Sequence, residues 1–209
     1  RNPSYAPEAD DPRGVPLSAI VFGGRRRSVA PLVYEARDWS HGVLVGASVA
    51  SETTAAAIGE VGVVRRDPMA MKPFAGYNFA DYWAHWFDIG KRLTRPPRIF
   101  HVNWFRRDAA GRFLWPGYGE NLRVLSWMIE RCAGRIDAAD TPIGYLPRPA
   151  DLNLRGLDVP ATVMHELLAV DRDQWRVEAA EIRSYLQEFG SRVPPALYDE
   201  LAALEKRLG

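Results

Sequence analysis

The sequence predicts an α/β chain: a mixed sheet with flanking helices and a helical C-terminal tail. Three observations carry that reading. Short runs rich in β-branched and aromatic residues, such as 17–22 (LSAIVF) and 99–105 (IFHVNWF), have strand length and stop at glycine or polar clusters. Between them, 79–90 carries Phe79, Tyr82, Trp83, Trp86 and Phe87 at helical spacing. The last third is patterned as amphipathic helix alone.

Taken in order, residues 1–16 hold four prolines (Pro3, Pro7, Pro12, Pro16) and read as a linker. The strand expected at 17–22 ends at Gly23-Gly24. Residues 43–49 (VLVGASV) read as a second strand on composition, and 99–105 as a third. The polar, glycine-containing stretch 106–112 (RRDAAGR) between apolar runs fits a hairpin connection. Asn121 is an acceptable N-cap for a helix whose face is expected to be Leu122, Leu125, Met128, Ile129 and Cys132, and which Gly134 ends. Asp171 with Gln174 resembles a capping box ahead of Trp175, Ala179, Ile182, Leu186 and Phe189, and Gly190 closes that helix. Pro194-Pro195 opens the last one, with Leu197, Leu201, Leu204 and Leu208 on one side. The organisation expected is a linker at 1–16, a mixed α/β body at 17–146 and a helical tail at 161–209.

The chain has 209 residues, 47% hydrophobic and 25% charged, which argues for a packed core and against disorder. A net charge of +1 excludes a globally polyanion-seeking protein but not a local basic site. Of 27 basic residues only Lys72, Lys91 and Lys206 are lysines, so nearly every cation is a planar guanidinium fork. Cys132 is the sole cysteine, which excludes an internal disulfide and a multi-cysteine metal site, favours a reducing compartment, and on its helix face is expected in the core. Self-contained catalytic motifs are missing. There is no phosphate loop, His165-Glu166 meets Ala169 where a zinc helix needs histidine, residues 46–50 lack the closing glycine of a nucleophile elbow, and Gly117-Tyr118-Gly119 has no third glycine. His41, His85, His101 and His165 have no metal spacing, and Glu35, Asp38 and His41 fit a solvated turn.

Three local concentrations remain. In Phe22-Gly23-Gly24-Arg25-Arg26-Arg27 a strand runs into two glycines and three guanidinium groups, which suits either phosphate oxygens or a solvated strand end. Residues 51–62 (SETTAAAIGEVG) are small and glycine-containing, as a surface connection or a lid would be. Residues 103–121 place Trp104, Phe105, Phe113, Trp115 and Tyr118 among Arg106, Arg107 and Arg112. Such rings sandwich a planar base whose edge Asn121 would read, or they simply pair across a hairpin.

Longer motifs carry a resemblance. FGGRR at 22–26, HGVLVGA at 41–47, the 51–62 loop, DPMAMKPFAGYNFADYWAHW at 67–86, FHVNWFRRDAAGRFLWPGYGEN at 100–121 and TPIGYLP at 141–147 resemble GTP-dependent phosphoenolpyruvate carboxykinase. The resemblance implies the C-terminal nucleotide-binding lobe of that fold. It further implies a parent enzyme of gluconeogenesis, cytoplasmic and monomeric, that converts oxaloacetate and GTP into phosphoenolpyruvate, GDP and carbon dioxide. Manganese and magnesium would serve it, with metal ligands, phosphate loop and substrate-carboxylate arginines upstream of this chain. It implies that Arg25 is the catalytic arginine touching the transferring phosphoryl group. The implied nucleotide site is Arg25, Trp104, Phe105, Phe113, Tyr118, Gly119, Glu120 and Asn121, with the three rings Phe105, Phe113 and Tyr118 holding guanine. The implied lid is Glu52, Thr53, Thr54, Ala55, Ala56, Ala57 and Gly59. Tyr118 stands where the family often has phenylalanine, and Lys72 where many members have arginine. By this resemblance the chain is a C-terminal part lacking its N-terminal portion, inactive alone, with no nucleic-acid or membrane partner. Two other readings stay open: a module stacking single-stranded nucleic acid on Trp104, Phe105 and Phe113, and an interaction domain using the helices at 171–208.

Overall fold

The computed structural model of the chain describes residues 3–54 and 61–209. Five strands form the main sheet: β1 (Ala19–Gly23), β2 (Val33–Glu35), β5 (Arg98–Val102), β6 (Ala139–Thr141) and β7 (Gly144–Leu146). Their order is β1-β5-β2-β7-β6, with β1 parallel to β5 and the other pairs antiparallel. A separate hairpin pairs β3 (Ala50–Glu52) with β4 (Val64–Arg66). Six α-helices are described: α1 (Trp39–Ala47), α2 (Phe79–Gly90), α3 (Asn121–Cys132), α4 (Ala161–Leu167), α5 (Arg172–Gln187) and α6 (Pro195–Leu208).

Alternation along the strands divides the core in two. Phe22, Tyr34 and Ile99 point to one face, where α1, α2, α5 and α6 cover them with Leu44, Trp83, Ile182 and Leu201. Val33, Phe100 and Val102 point to the other, under Val124, Trp127 and Met128 of α3 and Met164 and Leu167 of α4. Of the apolar stripes expected on α5 and α6, Trp175, Ala179, Ile182, Leu186, Leu197, Leu201, Leu204 and Leu208 are buried in the core, while Phe189 lies past the end of α5 and is half-buried.

Four expectations are corrected. Residues 43–49 are not a strand. Asp38 caps α1 by accepting from the His41 backbone N–H at 2.8 Å, and Gly42 and Gly46 let the helix lie against Ile99 and Phe22. On α3 the buried residues are Val124, Trp127 and Met128, while Leu122, Leu125 and Ile129 are exposed and Cys132 is only half-buried. Asn121 is the first helical residue rather than the cap, and its side chain bonds elsewhere. Finally, Glu35 and His41 are buried, not solvated: the Glu35 carboxylate accepts from Arg131 Nε at 2.7 Å and also from Arg98.

Candidate functional site

The site begins where β1 ends. Gly24 packs so tightly on β3 that a Cβ there would lie 2.2 Å from the Ala50 carbonyl oxygen. The Arg25 backbone N–H donates to Ser51 Oγ at 3.0 Å, and the Glu52 N–H donates to the Arg25 carbonyl at 2.7 Å. The three arginines that follow Gly24 then diverge. Arg26 is buried, donating to Glu178 of α5 at 2.7 and 3.0 Å, and Arg66 of β4 reaches the same carboxylate at 2.5 Å. Burial pushes the Glu178 carboxyl up, but its two guanidinium partners outweigh that and hold it below the ordinary range. Arg27 donates from Nε and from its backbone N–H to Glu52, at 2.9 and 2.6 Å.

Arg25 is different. Among the described residues its guanidinium has no carboxylate partner; it lies 4.7 Å above the Phe105 ring. It also lines a cleft of about 610 Å³, together with Ser51, Thr53, Thr54, Arg65, Lys72 and the carboxylates of Glu52, Asp67 and Glu188. Lys72 reaches the cleft on a turn whose preceding residues, Met69 (φ 54°) and Ala70 (φ 55°), hold left-handed conformations that cost strain. Its backbone N–H is fixed by Asp67 Oδ1 at 3.0 Å, and its ammonium stands 5.7 Å from the Tyr185 ring.

The aromatic segment forms the hairpin expected at 106–112. Arg107 and Phe113 bridge antiparallel, and the turn closes through Asp108 N–H to the Arg112 carbonyl at 2.9 Å. This brings Phe113 to Phe105, edge to face at 6.1 Å, and Arg107 covers the outer face of Phe113 at 4.3 Å. Trp104 packs half-buried against the α3 core and makes no ring contact with Phe105. Tyr118 is 94% exposed, flanked by Gly117 (φ 114°) and Gly119 in a 3-10 turn that ends at Glu120, whose carboxylate accepts from Arg123 Nε at 2.5 Å. Asn121 is half-buried, and its Oδ1 accepts from the Trp115 indole N–H at 2.8 Å. Phe105, Phe113 and Arg25 therefore meet; Tyr118 stands apart.

Of the lid residues, Glu52, Thr53 and Thr54 are described. The loop is clasped at its base by Thr53 N–H to the Val63 carbonyl and Gly62 N–H to the Thr53 carbonyl, each 2.9 Å. Ala55, Ala56, Ala57 and Gly59 lie outside the described residues. Sequence reasoning missed two groups. Glu178 and Arg66 decide which arginine of the triplet stays available, yet no local motif marks them; Glu178 lies 152 residues from Arg26. Arg65 carries no local motif either, and Lys72 is marked only by the resemblance, as standing where many members have arginine.

Fold and site define an α/β lobe in which Arg25, without a carboxylate partner among the described residues, stands between a cleft of mixed charge and an aromatic hairpin. The chain belongs to the GTP-dependent phosphoenolpyruvate carboxykinase family: residues 1–207 match the phosphoenolpyruvate carboxykinase C-terminal P-loop domain. It is 52% identical over 94% of its length to phosphoenolpyruvate carboxykinase [GTP] of Anaeromyxobacter dehalogenans. It is 51% identical over 98% to that of Renibacterium salmoninarum and 50% over 99% to that of Treponema pallidum. The chain spans about a third of the length of these relatives: 33%, 34% and 34%.

Proposed function

We propose that this chain supplies the guanine-nucleotide side of a GTP-dependent phosphoenolpyruvate carboxykinase, which converts oxaloacetate and GTP into phosphoenolpyruvate, GDP and carbon dioxide. One observation carries the reading. Of three consecutive arginines, Arg26 and Arg27 are bound to carboxylates, and among the described residues Arg25 has none and lies between an aromatic ring and the cleft. Phosphoryl transfer is mostly positioning and charge stabilisation, so a preorganised guanidinium at the transferring group is the appropriate device. Arg65 and Lys72 extend the positive field for the remaining phosphates, while Phe105, Phe113 and Tyr118 hold the base and Asn121 reads its edge. Gly117 and Gly119 give the Tyr118 turn freedom to fold onto a bound base.

Manganese and magnesium belong to the proposed whole reaction, but the residues here do not fit them: among the described residues no three His, Cys, Asp or Glu side chains cluster as metal ligands. The metal ligands of such an enzyme would lie in the part of it outside this chain. That part is also the proposed partner. Strand β1 lies at the sheet edge, and beside it the apolar stripe of Leu122, Leu125 and Ile129 on α3 is uncovered. A cytoplasmic site of action fits the single cysteine, and no helix among the described residues is long and apolar enough to cross a membrane.

The single-stranded nucleic-acid reading loses its support in the hairpin. Arg106 is buried and donates to the Ala169 carbonyl, Arg107 lies over the Phe113 ring and donates to the Gly111 carbonyl, and Arg112 is paired with Asp108, so the three do not line up as a backbone track. Calorimetric titration of the chain with GDP and ADP is the test. GDP is expected to bind more tightly, Phe113→Ala or Asn121→Ala to abolish the preference, and the chain alone to turn over no oxaloacetate. Equal affinity for the two nucleotides, or GTP-dependent turnover by the chain alone, would refute the proposal.

A further inference from the structure

Within the proposed base site, asparagine alone is an ambiguous reader. Its side-chain amide pairs one donor with one acceptor. Guanine presents O6 as acceptor beside N1–H as donor; adenine presents N6–H as donor beside N1 as acceptor. An amide free to rotate by half a turn about its last bond matches either base equally well. Discrimination requires something that forbids one of the two orientations.

The structure contains such a group. Trp115 is 1% exposed, and its indole N–H points at Asn121 Oδ1 at 2.8 Å. An indole nitrogen only donates, so the amide must turn its oxygen to Trp115, and its NH2 then faces outward. Nδ2 bonds to no other described residue. Oδ1 keeps a second lone pair. For a base held with its six-position substituent at Nδ2 and its N1 at Oδ1, this fixed edge offers a donor for O6 and an acceptor for N1–H, the pattern complementary to guanine. To read adenine, the amide would have to flip, leaving the buried indole N–H facing an NH2 group.

This bond is not a general requirement of tryptophan burial here. Trp83, Trp127 and Trp175 are buried too, and among the described residues their indole N–H groups have no partner. Trp115 is also held rigidly. It sits in the α3-side core, and the chain runs from it through Gly117 into the first turn of α3, so donor and acceptor are only six residues apart. We infer that Trp115 is the positioning residue that sets guanine over adenine, by fixing the Asn121 amide in its guanine-reading orientation. The inference rests on the reading that Phe105, Phe113 and Asn121 hold a base.

The experiment compares GDP, inosine diphosphate and ADP binding to the 209-residue chain by calorimetry, in three forms. These are the wild type, Trp115→Phe, and a chain with benzothienylalanine introduced at Trp115, which replaces the indole N–H by sulfur in an otherwise isosteric ring. The wild type is expected to bind GDP and inosine diphosphate alike, since both keep O6 and N1–H, and both ahead of ADP. In the two altered chains the GDP-to-ADP ratio is expected to fall by about tenfold, the scale of one bidentate base contact. A purely structural role would weaken all three nucleotides in proportion and leave the ratio unchanged. Should Trp115→Phe unfold, the isosteric chain decides alone. A wild type that prefers GDP and an isosteric chain that keeps the same ratio would overturn this inference while leaving the guanine site standing. A wild type with no guanine preference would overturn the site itself and the inference with it.

Discussion

Two histidines sit where water does not reach, and both are held neutral. His41 Nδ1 accepts from the Arg37 backbone N–H at 3.0 Å; burial, with Arg207 and Arg37 nearby, pulls its pKa down to about 3. His101 stacks on Tyr34 at 5.1 Å, and burial together with Arg26 pulls its pKa down to about 4. Unfolded, each would titrate near 6.5. Between that value and the folded one, the unfolded chain binds a proton that the folded chain refuses, so stability falls as pH falls through this window. From pH 7 to pH 5 the loss is expected to be about 2 kcal/mol for each histidine. Urea denaturation at the two pH values measures it, and His101→Gln should remove about half of the difference. Equal stability at pH 7 and pH 5 would show that these rings are not held as described.

At the scale of elements, legibility followed how many competing stripes a segment carries. Helices α5 and α6 each have one apolar stripe, and the residues expected on it are buried except Phe189, which lies past the end of α5 and is half-buried. Helix α3 has two. Leu122, Leu125 and Ile129 compete with Val124, Trp127 and Met128, and only the sheet beneath decides between them. Residues 43–49 mislead because their β-branched Val43, Val45 and Val49 favour strand, which the fold overrides; the readable signal is Asp38 as cap with two glycines one turn apart. Those glycines form the face that touches the sheet. A Cβ on Gly42 would lie 2.9 Å from Ile99 Cβ, an atom that no rotamer change can move. Gly42→Ala raises helix propensity by about 1 kcal/mol, but forcing a methyl into that contact costs about 1–3 kcal/mol. Net destabilisation of about 1 kcal/mol is expected in chemical denaturation, and a stabilised variant would contradict the packing. The candidate site was half legible for a related reason. The arginine triplet and the aromatic segment are local and visible. Which arginine remains unpaired depends on Glu178 and Glu52, which the fold brings in from 152 and 25 residues away.

At the scale of the molecule, one of the two sheet edges lies beside exposed apolar side chains. Among the described residues strand β1, like β6 at the opposite edge, pairs with one neighbour, leaving a row of backbone groups open. Val21 on that strand is 43% exposed, and Leu122 and Ile129 on α3 are 66% and 59% exposed. The Cys132 thiol meets the Ser18 carbonyl at 3.5 Å, which lays the stripe of Leu125, Ile129 and Cys132 along the β1 side. An open edge beside an apolar stripe is how a sheet looks where another segment continues it, and the family relatives are about three times as long as this chain. If the remaining two thirds dock here, Leu125→Glu with Ile129→Glu should leave the folding of the chain alone nearly unchanged, within about 0.5 kcal/mol, because both side chains already face water. The same pair should prevent assembly, since two carboxylates would be buried without partners. Co-expression with the first two thirds of the Anaeromyxobacter dehalogenans relative tests this. The unaltered chain is expected to co-purify with that piece and the doubly substituted chain to be lost from it; equal recovery of both would place the docking surface elsewhere.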